Sequence, residues 1–244
     1  MFLKLSGTGH GGCIVTTARA AGIFLIVVPL AFNAAFLLLA ARFDYPDILR
    51  RPTVEVLARF RQGGSSLILL WWALALSAVL FAPLVVLVAG AIDGADGTLR
   101  VLGLTVGVLA AIVQFLGLMR WPFLVPYLAR VATDADADRA RIAAADVVFQ
   151  SFNRYAGVAV GEHLGYLFTG LWTTIVGISI LETSVAPSWF GLGGVVIGPI
   201  LMLCSLEFVG PFEPKGWKLA GQVTPIAYIA WSVWLVVIGV AFLL

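Results

Sequence analysis

Glu162 and His163 stand side by side in a stretch of the chain that is otherwise apolar enough to cross a membrane. An ionisable side chain in hydrocarbon is costly, so the pair marks a candidate functional site. A carboxyl group beside an imidazole could relay a proton, or the carboxylate could pair with a buried cation. Arg120, Gln114 and Asn33 are further polar residues of the predicted spans. We expect Glu162 to contact Arg120 or, if the third helix ends early, Gln114.

Three glycines spaced by four residues surround this pair, namely Gly157, Gly161 and Gly165. On an α-helix this spacing lines one face and lets a neighbouring backbone approach closely, as ordinary bundle packing requires. Glu162 and His163 then flank the packed face at about 100° from each other, roughly 10 Å into the membrane. Adjacent side chains that diverge in this way make a poor chelate, so we assign no metal ligand and no catalytic residue.

The amino-acid composition indicates that the helices face membrane lipid and not water. Apolar residues make up 61% of the chain, charged residues 11%, and the mean hydropathy is +1.04. Soluble domains carry about 25% charged residues. The sequence therefore predicts an all-α integral membrane bundle, one domain over 1–244, and the net charge of +2 argues for no nucleic-acid partner. Six transmembrane helices are expected at about 20–41, 67–92, 99–119 with a possible extension to 128, 155–181, 189–208 and 223–244.

A cytoplasmic amphipathic surface helix is predicted over 46–62. Leu49, Val56, Leu57 and Phe60 fall on one of its faces, which suits a helix that lies on the membrane. Basic residues off that face would meet the anionic lipid surface, and they are Arg50, Arg51, Arg59 and Arg61. The alternative interpretation is a structural elbow that carries the chain into the second span.

The distribution of basic residues predicts the orientation. Twelve of the 15 Lys and Arg residues fall in the three loops that follow the odd-numbered spans. Basic loops stay in the cytoplasm, so both termini are expected outside, in a multi-pass protein of the bacterial inner (cytoplasmic) membrane. The stronger basic cluster follows the first span, which therefore does not resemble a cleaved signal peptide.

Two parts of the sequence resemble a known family. They are the run Phe43–Arg50 with Glu55, Arg59-Phe60, Gly63-Gly64 and Trp71, and the run Gly157–Tyr166 followed by Thr169–Thr173. Together they resemble an uncharacterised bacterial multi-pass inner-membrane family known only as a domain of unknown function. The resemblance covers about residues 20–244. It implies a membrane protein and no particular activity.

Three function classes fit the sequence. The first is a non-catalytic accessory or assembly component of a membrane complex, whose partners are the lipid bilayer and either other subunits or further copies of itself. The second is a small proton-linked carrier that uses Glu162, His163 and Arg120. The third is an intramembrane enzyme, which is disfavoured because His163 is the one intramembrane base and no Gly-x-Ser-x-Gly elbow occurs.

The cofactor stays unknown from the sequence. A bis-histidine haem would need a second intramembrane histidine, whereas His10 precedes the first span. A retinal Schiff base would need an intramembrane lysine, and Lys4, Lys215 and Lys218 lie outside the spans. Lipid, quinone and carotenoid remain open as ligands, because each binds apolar grooves with little sequence signature.

The expected orientation can be tested by cysteine labelling in a background without Cys13 and Cys204. A cysteine near Leu244 should react with a membrane-impermeant maleimide in intact cells. A cysteine at Lys215 should react only after permeabilisation, because the positive-inside bias places it in the cytoplasm. Labelling of intact cells at Lys215 but not near Leu244 would invert the topology.

Overall fold

The computed structural model describes residues 9–183, 185–213 and 215–244, with side chains from Thr16 onward. Within those ranges 89% of the residues are helical, and no strand occurs. Six helical stretches are long and apolar enough to cross a membrane. The predicted all-α fold with six spans is therefore confirmed.

Eight α-helices follow one another in the described ranges: α1 (Gly9–Phe43), α2 (Thr53–Val79), α3 (Phe81–Ala91), α4 (Gly97–Thr133), α5 (Arg139–Phe152), α6 (Gly165–Glu182), α7 (Ser188–Cys204) and α8 (Lys218–Leu243). A π-helical segment joins α5 to α6 over Asn153–Leu164. Short 3₁₀ turns occupy Asp47–Arg50, Ser205–Phe208 and Gly210–Phe212. The second span combines α2 and α3, and the fourth combines α5, the π segment and α6.

The helices are longer than the sequence predicts. The third span was expected to end at 119 or to reach 128, but α4 continues through Pro122 and Pro126 to Thr133. Proline removes one helical hydrogen bond, yet neighbouring helices can cover the freed carbonyl in a membrane bundle. At 37 residues α4 is roughly 55 Å long, well beyond the about 30 Å of hydrocarbon. His10 also lies in α1, which begins at Gly9.

The predicted surface helix over 46–62 needs a correction at both ends. Asp47–Arg50 forms a separate 3₁₀ turn, and α2 begins at Thr53 because Pro52 occupies its N-cap. Gly64 then has φ 56° and ψ −152°, which breaks the helical direction before the membrane-spanning part of α2. Glycine suits this backbone because it carries no Cβ. Residues 53–63 thus form an elbow helix, and its Val56, Leu57 and Phe60 are buried as the pattern predicts.

The six spans give the bundle two sides. The turn at 92–96, the connection after Glu182 and the C-terminal Leu244 lie on one side, here called the terminus side. The connections at 44–52, at 134–138 and after Phe208 lie on the other, here called the elbow side. On the elbow side Arg61 donates two hydrogen bonds of 2.8 Å to Thr133, to its carbonyl and its hydroxyl oxygen, so the elbow helix is fixed to the end of α4.

Two separate apolar cores stabilise the bundle. The terminus-side core is built on Leu25, Leu84, Trp172, Ile180 and Leu235, all at most 1% exposed. The elbow-side core is aromatic: Phe43, Phe60, Trp71, Trp121 and Phe149. Its centre is the stacked pair Trp71 and Trp121, with ring centroids 4.2 Å apart.

Between the cores α4 and the π segment touch backbone to backbone. A Cβ placed on Gly117 would lie 2.6 Å from Cα of Gly161 and 2.8 Å from the carbonyl oxygen of Ala156. Both obstacles are main-chain atoms and cannot rotate away. Only glycine at position 117 permits this distance between the two helices.

Gly117→Ala should therefore lower the thermal midpoint by several degrees, because overpacking costs about 1–3 kcal/mol. Gly97→Ala is the matched control, since it makes the same change in the same helix and a Cβ there meets nothing within 4 Å. The control should be neutral or slightly stabilising. Thermal unfolding of both variants in detergent would measure the difference, and equal midpoints would contradict the close contact.

Candidate functional site

Glu162 and His163 lie in the π-helical segment Asn153–Leu164, not in a regular α-helix as expected. A π-helix bonds residue i to i+5, is rare, and is frequently found at functional sites. The depth of Glu162, about 10 Å into the membrane, stays a prediction.

Gly157, Gly161 and Gly165 face α4. Their partners there run in the opposite chain order, because the two helices are antiparallel. A Cβ on Gly157 would lie 2.5 Å from the Arg120 guanidinium, and one on Gly165 would lie 2.8 Å from Cγ of Gln114. Gly161 sits between them against Gly117. The glycines therefore leave room for the side chains of Arg120 and Gln114. These side chains lie between the two apolar cores, in a region here called the polar layer.

Arg120 does not contact Glu162 as the sequence suggested. Its guanidinium donates to the carbonyl oxygen of Gly117 and to Oδ1 of Asn153, the latter at 3.1 Å, and lies 5.4 Å from the ring centre of Trp121. No nitrogen–oxygen pair between Arg120 and Glu162 falls within 4.0 Å. The reason is geometric, because Gly157 faces Arg120 and a main-chain acceptor lies closer than the carboxylate.

Gln114 also bonds elsewhere than to Glu162. Its Nε2 donates to the carbonyl oxygen of Ala110 at 3.1 Å and to the hydroxyl of Thr169 on α6 at 3.2 Å. One turn further, Trp231 of α8 donates to the hydroxyl of Thr173 at 2.8 Å. These bonds connect α4, α6 and α8 across the polar layer.

Asn33 and His163 connect two further pairs of elements. Nδ2 of Asn33 donates to the carbonyl oxygen of Pro29 at 2.7 Å and to the hydroxyl of Ser232 at 3.0 Å, which joins α1 to α8. Nδ1 of His163 lies 2.7 Å from the carbonyl oxygen of Ser205, so the ring donates to the turn that follows α7. His163 and Glu162 therefore serve different neighbours.

Glu162 differs from the other four candidates. Within the described part of the chain, its carboxylate has no hydrogen bond and no ion pair. The residue is partly buried. Its charge is in electrostatic range first of Arg120, then of Glu207 and of the hydroxyl groups of Tyr166 and Tyr228.

Tyr45 brings the elbow into the same site. Burial first and the charge of Glu162 second raise the pKa of Tyr45 to about 12, and the charge of Arg120 opposes the increase. Its ring meets Trp71 edge-on at 4.9 Å. Tyr45, Tyr166 and Glu207 were not predicted as site residues, because periodicity within one helix does not tell which distant element covers it.

The four arginines expected at the lipid surface have different surroundings. Arg50 is 85% exposed beside Asp47, and Arg59 is partly exposed. Arg51 is held by Asp44 and Glu55, each at 2.6 Å, and the hydrogen bond with Glu55 is the main cause of its raised pKa. With Arg61 bonded to Thr133, two of the four are engaged in the fold. Their interaction with lipid stays a prediction.

The residues offer few ligands to a metal. Within the described ranges, no group of three or more His, Cys, Asp or Glu side chains lies close enough together to hold an ion. The polar layer instead presents one carboxylate, tyrosine hydroxyl groups and ring surfaces.

Comparison with known proteins places the chain in a family. The model of a domain of unknown function, DUF4386, matches residues 20–239. The chain belongs to this family. The resemblance to an uncharacterised family is thereby confirmed, and the description assigns no activity. No curated protein and no solved structure matches the chain significantly.

Proposed function

We propose that this DUF4386 protein is a non-catalytic accessory or assembly component of a membrane complex. One observation carries the proposal: four of the five intramembrane polar candidates bond to a different element of the bundle. Asn33 joins α1 to α8, Gln114 joins α4 to α6, Arg120 joins α4 to the π segment, and His163 joins that segment to the turn after α7.

Such bonds support a structural role for the polar layer. Hydrogen bonds between membrane helices contribute about 0.6–2 kcal/mol each and hold one arrangement of the bundle. A transport pathway would instead need polar groups that are free to change partners. The two apolar cores on either side of the layer support the same conclusion, because each fixes one half of α1 and one half of α4.

The location in the bacterial inner membrane with both termini outside is part of this proposal. Arg120 lies within α4, and eleven other basic residues lie at or near the elbow side. This asymmetry supports a cytoplasmic elbow side.

A proton-linked carrier is the second candidate, and the unpaired carboxylate of Glu162 favours it. Intramembrane carboxylates mark ion and proton pathways in many transporters. In that case Glu162 would be the group that moves the proton, and the bonded residues around it would form the rigid frame.

Extraction of the native membrane in polymer-bounded lipid discs tests the proposal, with native mass spectrometry as the readout. We expect the 26.0 kDa chain to carry a stoichiometric protein partner or further copies of itself. Arg120→Gln should lose part of this assembly and of the folded yield, because it removes the α4 bond to Asn153. Arg130→Gln, an exposed arginine of the same helix, is the control and should behave as wild type.

Proteoliposomes with an internal pH dye and an imposed potassium diffusion potential separate the two candidates. An accessory protein should show no proton flux above empty liposomes. A monomer in the discs, together with a flux that Glu162→Gln abolishes, would overturn the proposal and support the carrier.

A further inference from the structure

A groove of about 250 Å³ opens between α2 and α4 at the surface of the bundle. Leu69, Trp72 and Phe123 are 61%, 44% and 67% exposed, so a ligand can enter the groove from outside. A water molecule takes up roughly 30 Å³ of the liquid, so the space suits a row of methylene groups. The residues that line the groove are all apolar: Ile68, Leu69, Trp72, Pro122 and Phe123. The groove therefore fits a hydrocarbon chain.

The elbow-side aromatic core supports the groove from within. Trp71 and Trp121 are fully buried and stack with ring centroids 4.2 Å apart. Each is followed directly in the chain by a residue that lines the groove. Because the stack holds α2 and α4 at a set distance, the groove is formed before a ligand binds.

An arginine joins the same two helices at their elbow-side ends. Nη1 of Arg61 donates hydrogen bonds of 2.8 Å to the carbonyl and hydroxyl oxygens of Thr133. Arg61 is exposed, and no carboxylate of the described residues lies within 4.0 Å of its guanidinium. A guanidinium carries five N–H donors, so Nε and Nη2 can still donate to an anion. The charge of Arg61 is therefore open to a ligand.

The groove and Arg61 lie along one line of the bundle. Pro122 and Thr133 are eleven residues apart, close to three helical turns, so they share one face of α4. At a rise of about 1.5 Å per residue, Thr133 lies roughly 16 Å from Pro122 toward the elbow side. One leaflet of hydrocarbon is about 15 Å deep, half of the bilayer core. An acyl chain that starts beside Arg61 therefore reaches the groove.

We propose that the groove holds one acyl chain of an anionic phospholipid and that the phosphate group of this lipid binds Arg61. Charge complementarity carries the choice of ligand, because guanidinium groups bind phosphate through paired hydrogen bonds. Basic sites between membrane helices recognise anionic headgroups in the same way. The inference goes beyond the accessory role and does not depend on it.

Other occupants fit the groove less well. An uncharged quinone or carotenoid would leave the guanidinium of Arg61 without an anion. A second membrane helix would need small residues at the contact, whereas Leu69, Trp72 and Phe123 are large.

Native mass spectrometry of the purified protein in a neutral detergent, titrated with phosphatidylglycerol, tests the proposal. Wild type should bind one phosphatidylglycerol per chain and should bind phosphatidylethanolamine more weakly, because the headgroup ammonium already balances that phosphate. Arg61→Gln should weaken phosphatidylglycerol binding at least about tenfold, since it removes charge-assisted hydrogen bonds. Arg100→Gln, an exposed arginine at the opposite end of α4, is the control and should bind as wild type.

A variant of the groove tests the acyl-chain contact without altering a bond of the fold. Phe123→Ala should fold as wild type and weaken phosphatidylglycerol binding about threefold, because it removes an exposed apolar wall. Leu116→Ala is the control, since Leu116 is 54% exposed on the same helix and lies outside the groove.

Unchanged binding in either Arg61→Gln or Phe123→Ala would overturn the proposal, as would the absence of bound phosphatidylglycerol on folded wild type. If Arg61→Gln does not fold, the result for Phe123→Ala decides. Phe123→Cys in a background without Cys13 and Cys204 tests for a second copy. Efficient disulfide formation between two chains in liposomes would place that copy over the groove and contradict the proposal.

Discussion

The contact between Gly117 and Gly161 sets the distance at which α4 and the π segment meet, and the polar layer depends on that distance. Gln114 and Arg120 lie three residues to either side of Gly117. Each therefore enters the space left by another glycine, Gly165 or Gly157. A side chain at position 117 would separate the helices and withdraw both polar groups from Thr169 and Asn153. Close backbone packing is thus the condition for polar bonding in this membrane protein.

The bonds of the polar layer reflect the free-energy cost of an unpaired polar group in a membrane. A polar group without a partner in hydrocarbon loses its bonds to water, so membrane helices place such groups where another helix can accept or donate. Asn33, Gln114, Arg120 and His163 all satisfy this requirement across an interface between elements. Among the described residues Glu162 has no such bond, and the proposed structural role therefore rests on the other four.

The sequence predicted the parts of the fold that depend on hydropathy. Six spans and the buried face of the elbow helix followed from apolar runs and from the spacing of Val56, Leu57 and Phe60. Hydropathy left open whether α4 passes through Pro122 and Pro126, because the cover for the freed carbonyls comes from other helices. The π segment was missed for a similar reason, since an i to i+5 hydrogen bond leaves no mark on the apolar pattern.

The sequence predicted which residues form the candidate site. It did not predict their hydrogen-bond partners. Arg120 was expected beside Glu162 on charge alone, whereas the main-chain oxygen of Gly117 and the amide of Asn153 lie closer. Tyr45 reaches the site from more than a hundred residues away in sequence, which only the tertiary fold can arrange.

A double-mutant cycle between Arg120 and Glu162 measures the central claim that this carboxylate forms no ion pair with Arg120. Unfolding free energies of wild type, Arg120→Gln, Glu162→Gln and the double variant would be determined in bicelles. The account predicts a coupling energy within about 1 kcal/mol, the value of a distant or solvated charge pair. A coupling energy of about 3–5 kcal/mol, typical of a buried ion pair, would contradict it.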